Sequence, residues 1–492
     1  MLWRRAMEIV KGKRLCSLGR ALRSLLVGGL GVLCFSLPAY ADWYPLGHTE
    51  DVPAFSKEHI QLLPPSDTGT RPALIYEGGD LFLGVGDLYE GFETPWGAVW
   101  QPQLWIFGTM RSSVHMYDNS SANSTASEWA NRLDLYANIQ LTGTEKFIIG
   151  IRPLDKNEPS KFSRVAFNDN RGDGQSEFNM DIRTMFFEGD LGSLFPKLDP
   201  GGTTWLDYGF SVGRQLLQFQ EGIMLNDEVD ALALIRNNIH LPGIPSLRSS
   251  FVWGWNDLGR SDAERDDRAN MFGLFNSWDT QITSWNLDLV YVTDEDAVGD
   301  SYHIGLSAIQ RIGFYSTAFR INTSIAEEDD NAEVGTGTLY SAEFSFTPKR
   351  SDDIVYLNAY FASGKFTQVG REPVVGGPLG ALGILFASPS IGNFGSEMIS
   401  FANDVAGFAM GYQAFWNHHR TNLTLELATR IDTSDKGCIT TGRGKRCDDI
   451  AIGFEFRQRL AQRIQLQVDS HYNVQEKRSD GYGLRTEILY QF

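Results

Sequence analysis

The clearest pattern in the chain is strict alternation of apolar and polar residues. From Arg132 to Leu141, Leu133, Leu135, Ala137, Ile139 and Leu141 share one phase, while Arg132, Asp134, Asn138 and Gln140 share the other. Period two over about ten residues predicts one tilted bilayer crossing by a strand, apolar towards lipid and polar towards a lumen. Residues 142–146 make a turn and 147–152 return. The unit recurs. Tyr340, Ala342, Phe344 and Phe346 oppose Ser341, Glu343 and Ser345; Val355, Leu357, Ala359 and Phe361 oppose Tyr356, Asn358 and Tyr360. Leu423, Leu425 and Leu427 oppose Thr424, Glu426 and Arg430, and Ile452, Phe454 and Phe456 oppose Glu455, Arg457 and Arg459. Ile464, Leu466 and Val468 alternate with Gln465, Gln467 and Asp469. Weaker alternation lies near 99–111, 181–189, 205–214, 229–238, 247–257, 269–276, 280–292, 302–311 and 313–322. The pattern predicts an all-β, membrane-spanning, antiparallel up-and-down β-barrel of about 16–18 strands with long outer loops.

Connection lengths fit that plan. Short ones at 142–146, 311–313 and 460–462 are expected on the periplasmic side, and long ones at 112–130, 153–180, 258–268, 323–338 and 431–448 outside. Tyr482, Leu484, Thr486, Ile488, Tyr490 and Phe492 share one phase, as expected of a strand that closes the barrel. Tyr490 and Phe492 are the candidate signal for the barrel assembly machinery. Closure removes the exposed apolar edge that such a strand would otherwise present.

The first residues read as a targeting segment. Arg4, Arg5, Lys11, Lys13, Arg14, Arg20 and Arg23 precede an apolar run at 25–35 too short to span a bilayer, and Ala39-Tyr40-Ala41 supplies small residues for cleavage. The expected organisation is a cleaved signal peptide at 1–41, a periplasmic or lumenal segment at 42–98, and the barrel at 99–492. Prolines 45, 53, 64, 65 and 72 break any long element in the middle segment, and Leu81 to Gly86 is a strand candidate there. Without residues 1–41 the chain has 36 basic against 60 acidic residues, a net charge near −24. That balance argues against nucleic acid as a partner.

Few groups suggest chemistry. Cys438 and Cys447 are the cysteines left after cleavage and read as a disulfide stapling an outer loop. Asp169 to Gly174 has the look of a calcium loop, but Arg171 stands at a ligand position and Met180 at the twelfth. Asp294-Glu295-Asp296 and Glu327 to Asp330 read as solvated loop faces near lipopolysaccharide, and His418-His419 as polar turn residues. Neither a nucleophile with its base nor a metal-ligand set is evident, so no catalytic group, cofactor or metal is expected. The lumen is the informative surface. Its phase holds Arg132, Asp134, Asp181, Arg183, Asp288, Arg320, Glu343, Glu426, Arg430, Glu455, Arg457, Asp469, Arg485 and Glu487 as candidate channel-lining residues. Residues 366–403, with the nearly uncharged, glycine-rich run 376–386, would expose too much apolar surface to water; the run either folds into the lumen as a constriction or packs against a partner or the outer leaflet, and the sequence does not choose.

Arg132 to Leu154, a strand–turn–strand with a charged inner face, and Val212-Gly213-Arg214-Gln215, leading after Gly222 into Val229 to Asn238, resemble the alginate-export family of outer-membrane channels. The resemblance covers about a tenth of the chain and implies an outer-membrane channel. Exporters of that family carry a strongly basic lumen suited to a polyanion, whereas the lumen here mixes signs. Together these readings predict a porin-like channel in the bacterial outer membrane, passing small hydrophilic solutes or an extended polysaccharide. Its surroundings would be outer-membrane lipid and lipopolysaccharide. The alternative is a barrel that sheathes or anchors a protein partner, such as an electron-transfer or secretion component.

Overall fold

In the computed structural model the described residues are 74–79, 90–118, 125–154, 162–167, 178–200, 204–260, 265–266, 268–294, 299–327, 334–371, 376–387, 391–396, 398–434, 447–476 and 479–492. Among them, eighteen antiparallel strands follow one another around a closed wall. They are β1 (103–118), β2 (126–140), β3 (146–151), β4 (182–190), β5 (209–219), β6 (225–241), β7 (244–256), β8 (270–279) and β9 (283–293), then β10 (301–312), β11 (315–326), β12 (337–346), β13 (354–366), β14 (402–416), β15 (421–432), β16 (449–459), β17 (464–475) and β18 (481–491). Each pairs with its chain neighbours, and β18 pairs back onto β1 from Tyr482 opposite Asp118 to Gln491 opposite Thr109. Phe492 extends the seam by exchanging backbone hydrogen bonds with Gly108, at 2.8 and 3.0 Å. Beyond it, residues 76–78 pair with 104–106 and occupy the rest of that edge. The closed ladder satisfies the backbone polar groups that lipid could not.

The alternation becomes an inside and an outside. Val114, Met116, Phe272, Leu274, Ile304, Ile321, Leu425, Ile452 and Leu484 are exposed on the outer face, while their neighbours His115, Asp288, Ser307, Arg320, Glu426 and Arg485 are buried on the inner one. Aromatic pairs cross between strands in the belt: Trp253 on Phe272, Tyr291 on Tyr302, and Trp278 on Trp285. Such pairs stiffen the wall by about 0.2–1 kcal/mol each.

Most connections alternate short and long, the order reversing at 191–208 and 220–224, and two of the expected long ones differ in extent. Residues 112–130 are mostly strand: β1 and β2 run on to a connection at 119–125, because His115, Tyr117 and Glu128 are buried against partners inside while Val114, Met116 and Trp129 face out. The connection expected at 323–338 shrinks to 327–336 by the same continuation of β11. Residues 1–73, Leu81 to Gly86, the calcium-like loop at 169–174, Cys438 and most of the two acidic loop runs lie outside the described residues.

Candidate functional site

Two segments leave the wall and enter the lumen. The first is the tip of the β5–β6 hairpin. β4 pairs with β5 only as far as Arg214, and β7 pairs with β6 only from Asp230 onward. Between those points, residues 215–219 and 225–229 pair only with each other, apart from the joint at 225–226 described below. Freed from its neighbours, the tip bends inward. Gln220 and Glu221 take left-handed backbone conformations, φ 51° and 56°, which cost about 1–2 kcal/mol each and are held by the surroundings. Gln220 Nε2 donates to Asp288 Oδ2 on β9 at 2.7 Å, and Arg320 Nη2 on β11 meets Glu221 at 2.7 Å. Gly305 on β10 makes room: a Cβ there would come within 3.0 Å of Met224 Sδ and 3.1 Å of Gln220 Cγ. At the base, Arg214 pairs with Asp230 at 2.9 Å and also with Asp257, fixing the fork.

The second segment is 367–401. Its start joins the hairpin tip: Val369 N donates to Met224 O, Gln368 Nε2 donates to Gly222 O, both at 2.9 Å, and 370–371 pair in parallel with 225–226. Its apolar middle, Leu379, Leu382, Leu385 and Phe386, packs with Ile223 of the hairpin and with Leu339, Tyr360, Val405, Ala409, Ala428 and Ala451 of the wall. The wall is lined there by small residues, and Gly453 would drive a Cβ to 2.7 Å from Leu385. Glu426 on β15 accepts the N–H of Ile384 at 3.0 Å and of Leu385 at 2.9 Å, together with the Tyr356 hydroxyl. Further along, Asn393 N donates to Glu128 Oε1 at 3.1 Å. Phe394 lies 6.0 Å from the His115 ring and 5.0 Å from His471, with Arg485 over its face at 5.1 Å.

Two chambers remain beside these segments. One, of about 780 Å³, lies between the hairpin and β7–β11 and includes Gln215, Phe219, Gln220, Arg248, Phe275, Asn286, Asp288, Ser307 and Arg320. The other, of about 520 Å³, lies under the 384–396 stretch and includes Arg111, Glu455, Arg457, Asp469, His471, Arg485 and Glu487. Charges in the second are paired across short distances. Arg485 meets Asp469 at 2.8 Å and Glu487 at 3.6 Å, Arg111 meets Glu487 at 2.5 Å, and Arg457 meets Glu455 at 2.9 Å. On β2, Asp134 sits between Arg132 and Arg152, 2.8 Å from each, and Arg152 reaches to 3.9 Å from Glu228 of the hairpin. Arg320 pairs with Glu343 as well as Glu221.

Among the sequence candidates, Glu455, Arg457, Asp469, Arg485 and Glu487 thus surround one chamber, Arg320 borders the other, and Arg132 and Asp134 form a separate cluster. Three candidates sit differently from the alternation's expectation. Arg430 is fully buried and donates to Phe401 O at 3.1 Å, so it anchors the end of the inner segment. Glu426 clamps the same segment. Arg183 falls at a register shift between β3 and β4, and with Met180, Ile182, Met185, Arg214 and Trp255 lines a cavity at the hairpin fork. The sequence reading missed Arg111, His115, Glu128, His471 and Gln220. Period-two alternation through 111–117 was the available signal for the first two; Gln220 has none, because it lies on a hairpin tip.

No family model matches the chain, and no curated protein does. Solved structures do. A BenF-like porin from Pseudomonas fluorescens Pf-5 superposes with a TM-score of 0.54 at 12% identity, covering 79% of this chain and 98% of that one. OpdK of Pseudomonas aeruginosa, solved with vanillate, gives 0.52 at 13% identity, with 79% and 98% covered. OccK2 (OpdF) of Pseudomonas aeruginosa gives 0.51 at 11% identity, with 79% and 97% covered. At such identities the likeness is one of fold, that of β-barrel porins. It does not carry over to the alginate-export family suggested by the short sequence matches.

Proposed function

We propose that this chain is an outer-membrane porin-like channel, passive and constricted, for small hydrophilic solutes. The observation that carries the reading is the pair of inward-folded segments, which narrow a charge-lined lumen and leave polar chambers beside them. A wall of eighteen strands is too wide for side chains alone to fill, so a channel of this width needs such elements to discriminate by size. The mixed, paired charges of Arg111, Arg457, Arg485, Glu455, Asp469 and Glu487 favour weak ion selectivity. The same inner segments count against a sheath around a folded partner, because they occupy the space that partner would need, and against an extended polymer as cargo. OpdK, a porin of like fold solved with vanillate, indicates the solute size to test first. Planar-bilayer recording on the purified protein tests the proposal. Stepwise insertion of ohmic conductance is expected. Heat-modifiable, inserted protein that gives no current steps would overturn it.

A further inference from the structure

The 780 Å³ chamber has a lining of two kinds, and this inference rests on the channel reading while naming the solute class. One is apolar: Phe219 stacks on Phe275, ring centroids 3.4 Å apart and planes 10° from parallel, and Ile235 and Ile309 join them in the lining. The other is neutral and hydrogen-bonding, with Asn286 Nδ2 donating to Ser307 Oγ at 2.9 Å. Gln220 belongs to the second kind. It is more than nine-tenths buried, its Nε2 is used by Asp288, and its Oε1 has no donor. A buried acceptor left unmatched is destabilising, and a ligand hydroxyl would supply the missing donor. The lining is unsuited to an acid: five residues are acidic and two are arginines, and the inner arginine, Arg320, is already held by Glu343 and Glu221. We infer that this chamber is a subsite for a neutral polyhydroxylated solute, such as a mono- or disaccharide. A sugar ring offers a C–H face for Phe219 and hydroxyls for Gln220, Asn286 and Ser307, and the volume falls in the range that encloses a small organic ligand.

Isothermal titration of the detergent-solubilised protein with sucrose, and separately with benzoate, tests this without reference to conduction. Saturable sucrose binding that exceeds benzoate binding is expected. Gln220→Met and Asn286→Leu should each weaken it about tenfold, the loss of one hydrogen-bonding partner. Heat-modifiable migration verifies that each variant is folded, and Ser307→Ala serves if either is not. Benzoate binding in preference to sucrose, or sucrose binding that no folded variant alters, overturns the inference. Sucrose binding by a protein without bilayer conductance would support the subsite and overturn the channel reading; conductance without sucrose binding would do the reverse.

Discussion

Glu426 offers the sharpest test of how the lumen is closed. Its two carboxylate oxygens hold the amides of Ile384 and Leu385 at 3.0 and 2.9 Å, and the Tyr356 hydroxyl donates to it from β13, across the intervening β14. Hydrogen bonds to a buried charged group contribute about 1.5–3 kcal/mol each, so the two amide bonds bias the segment towards its docked position by about 3–6 kcal/mol. Since about 1.4 kcal/mol is a factor of ten, Glu426→Ala should raise the undocked population at least about a hundredfold. Glu426→Gln keeps one oxygen acceptor and should fall between. Single-channel recording reads the effect directly. The parent should dwell in its constricted level, the Gln variant should visit a larger conductance briefly, and the Ala variant should do so often. Packing of Leu379, Leu382, Leu385 and Phe386 on the wall is untouched by these changes, so transitions between levels are expected instead of one permanently wide state. If folded Glu426→Ala shows the parent's conductance and dwell times, the carboxylate does not hold the segment, and the clamp argument fails.

Other predictions follow from the same geometry. Arg457 has a side chain 43% exposed whereas Arg430 has none; Arg457→Ala should therefore shift the reversal potential under a salt gradient towards cations, while Arg430→Ala should alter gating or stability and leave selectivity near the parent's. Equal selectivity shifts from both would contradict these placements. The closed ladder predicts that unboiled protein migrates faster than boiled protein in detergent gels; identical migration of folded and heated samples counts against closure. Asp353, in the turn before β13, accepts from the Tyr412 hydroxyl and from Phe415 N at 2.8 Å, which holds its carboxyl below the usual carboxylate range. Because the folded-state value is depressed, its stabilisation is present above the ordinary pKa and disappears as pH falls through the lowered one. Parent and Asp353→Asn should thus differ in melting temperature at neutral pH and converge in acid; a gap that widens on acidification would refute the assignment.

The wall was legible because its rule is local. Alternation through Arg132 to Leu141 or Ile452 to Arg459 needs only the next residue to be read, and a bilayer outside with polar groups inside enforces it at every position. The apolar run 376–386 was legible for a related reason: with scarcely a charge, it had to be covered. Arg183 was misplaced because a register shift moves a residue off the alternation without changing composition. Arg430 and Glu426 were read as facing the channel because phase reports which face of the wall a side chain takes and says nothing of what the lumen holds there. Cys447 is disulfide-bonded, and Cys438, the partner expected from the sequence, lies outside the described residues.

The hairpin tip was hidden more deeply, and the reason lies in how ladders end. Strand residues at 215–219 and 225–229 keep their period and their mutual pairing whether or not β4 and β7 stay beside them. What changes is the number of edges left unpaired, a property of neighbours far along the chain. Two free edges inside a barrel must find partners or water, and one of them does: 225–226 takes a parallel partner in 370–371, next to the Val369-to-Met224 bond. That junction makes the two inner segments one constriction, since displacing either exposes a backbone edge of the other. It also couples the apolar packing around Leu379 to the polar tip around Gln220. A loop change on the β13–β14 side should therefore be felt in the chamber beside β7–β11 through this joint, in addition to any effect carried by β12 in the wall.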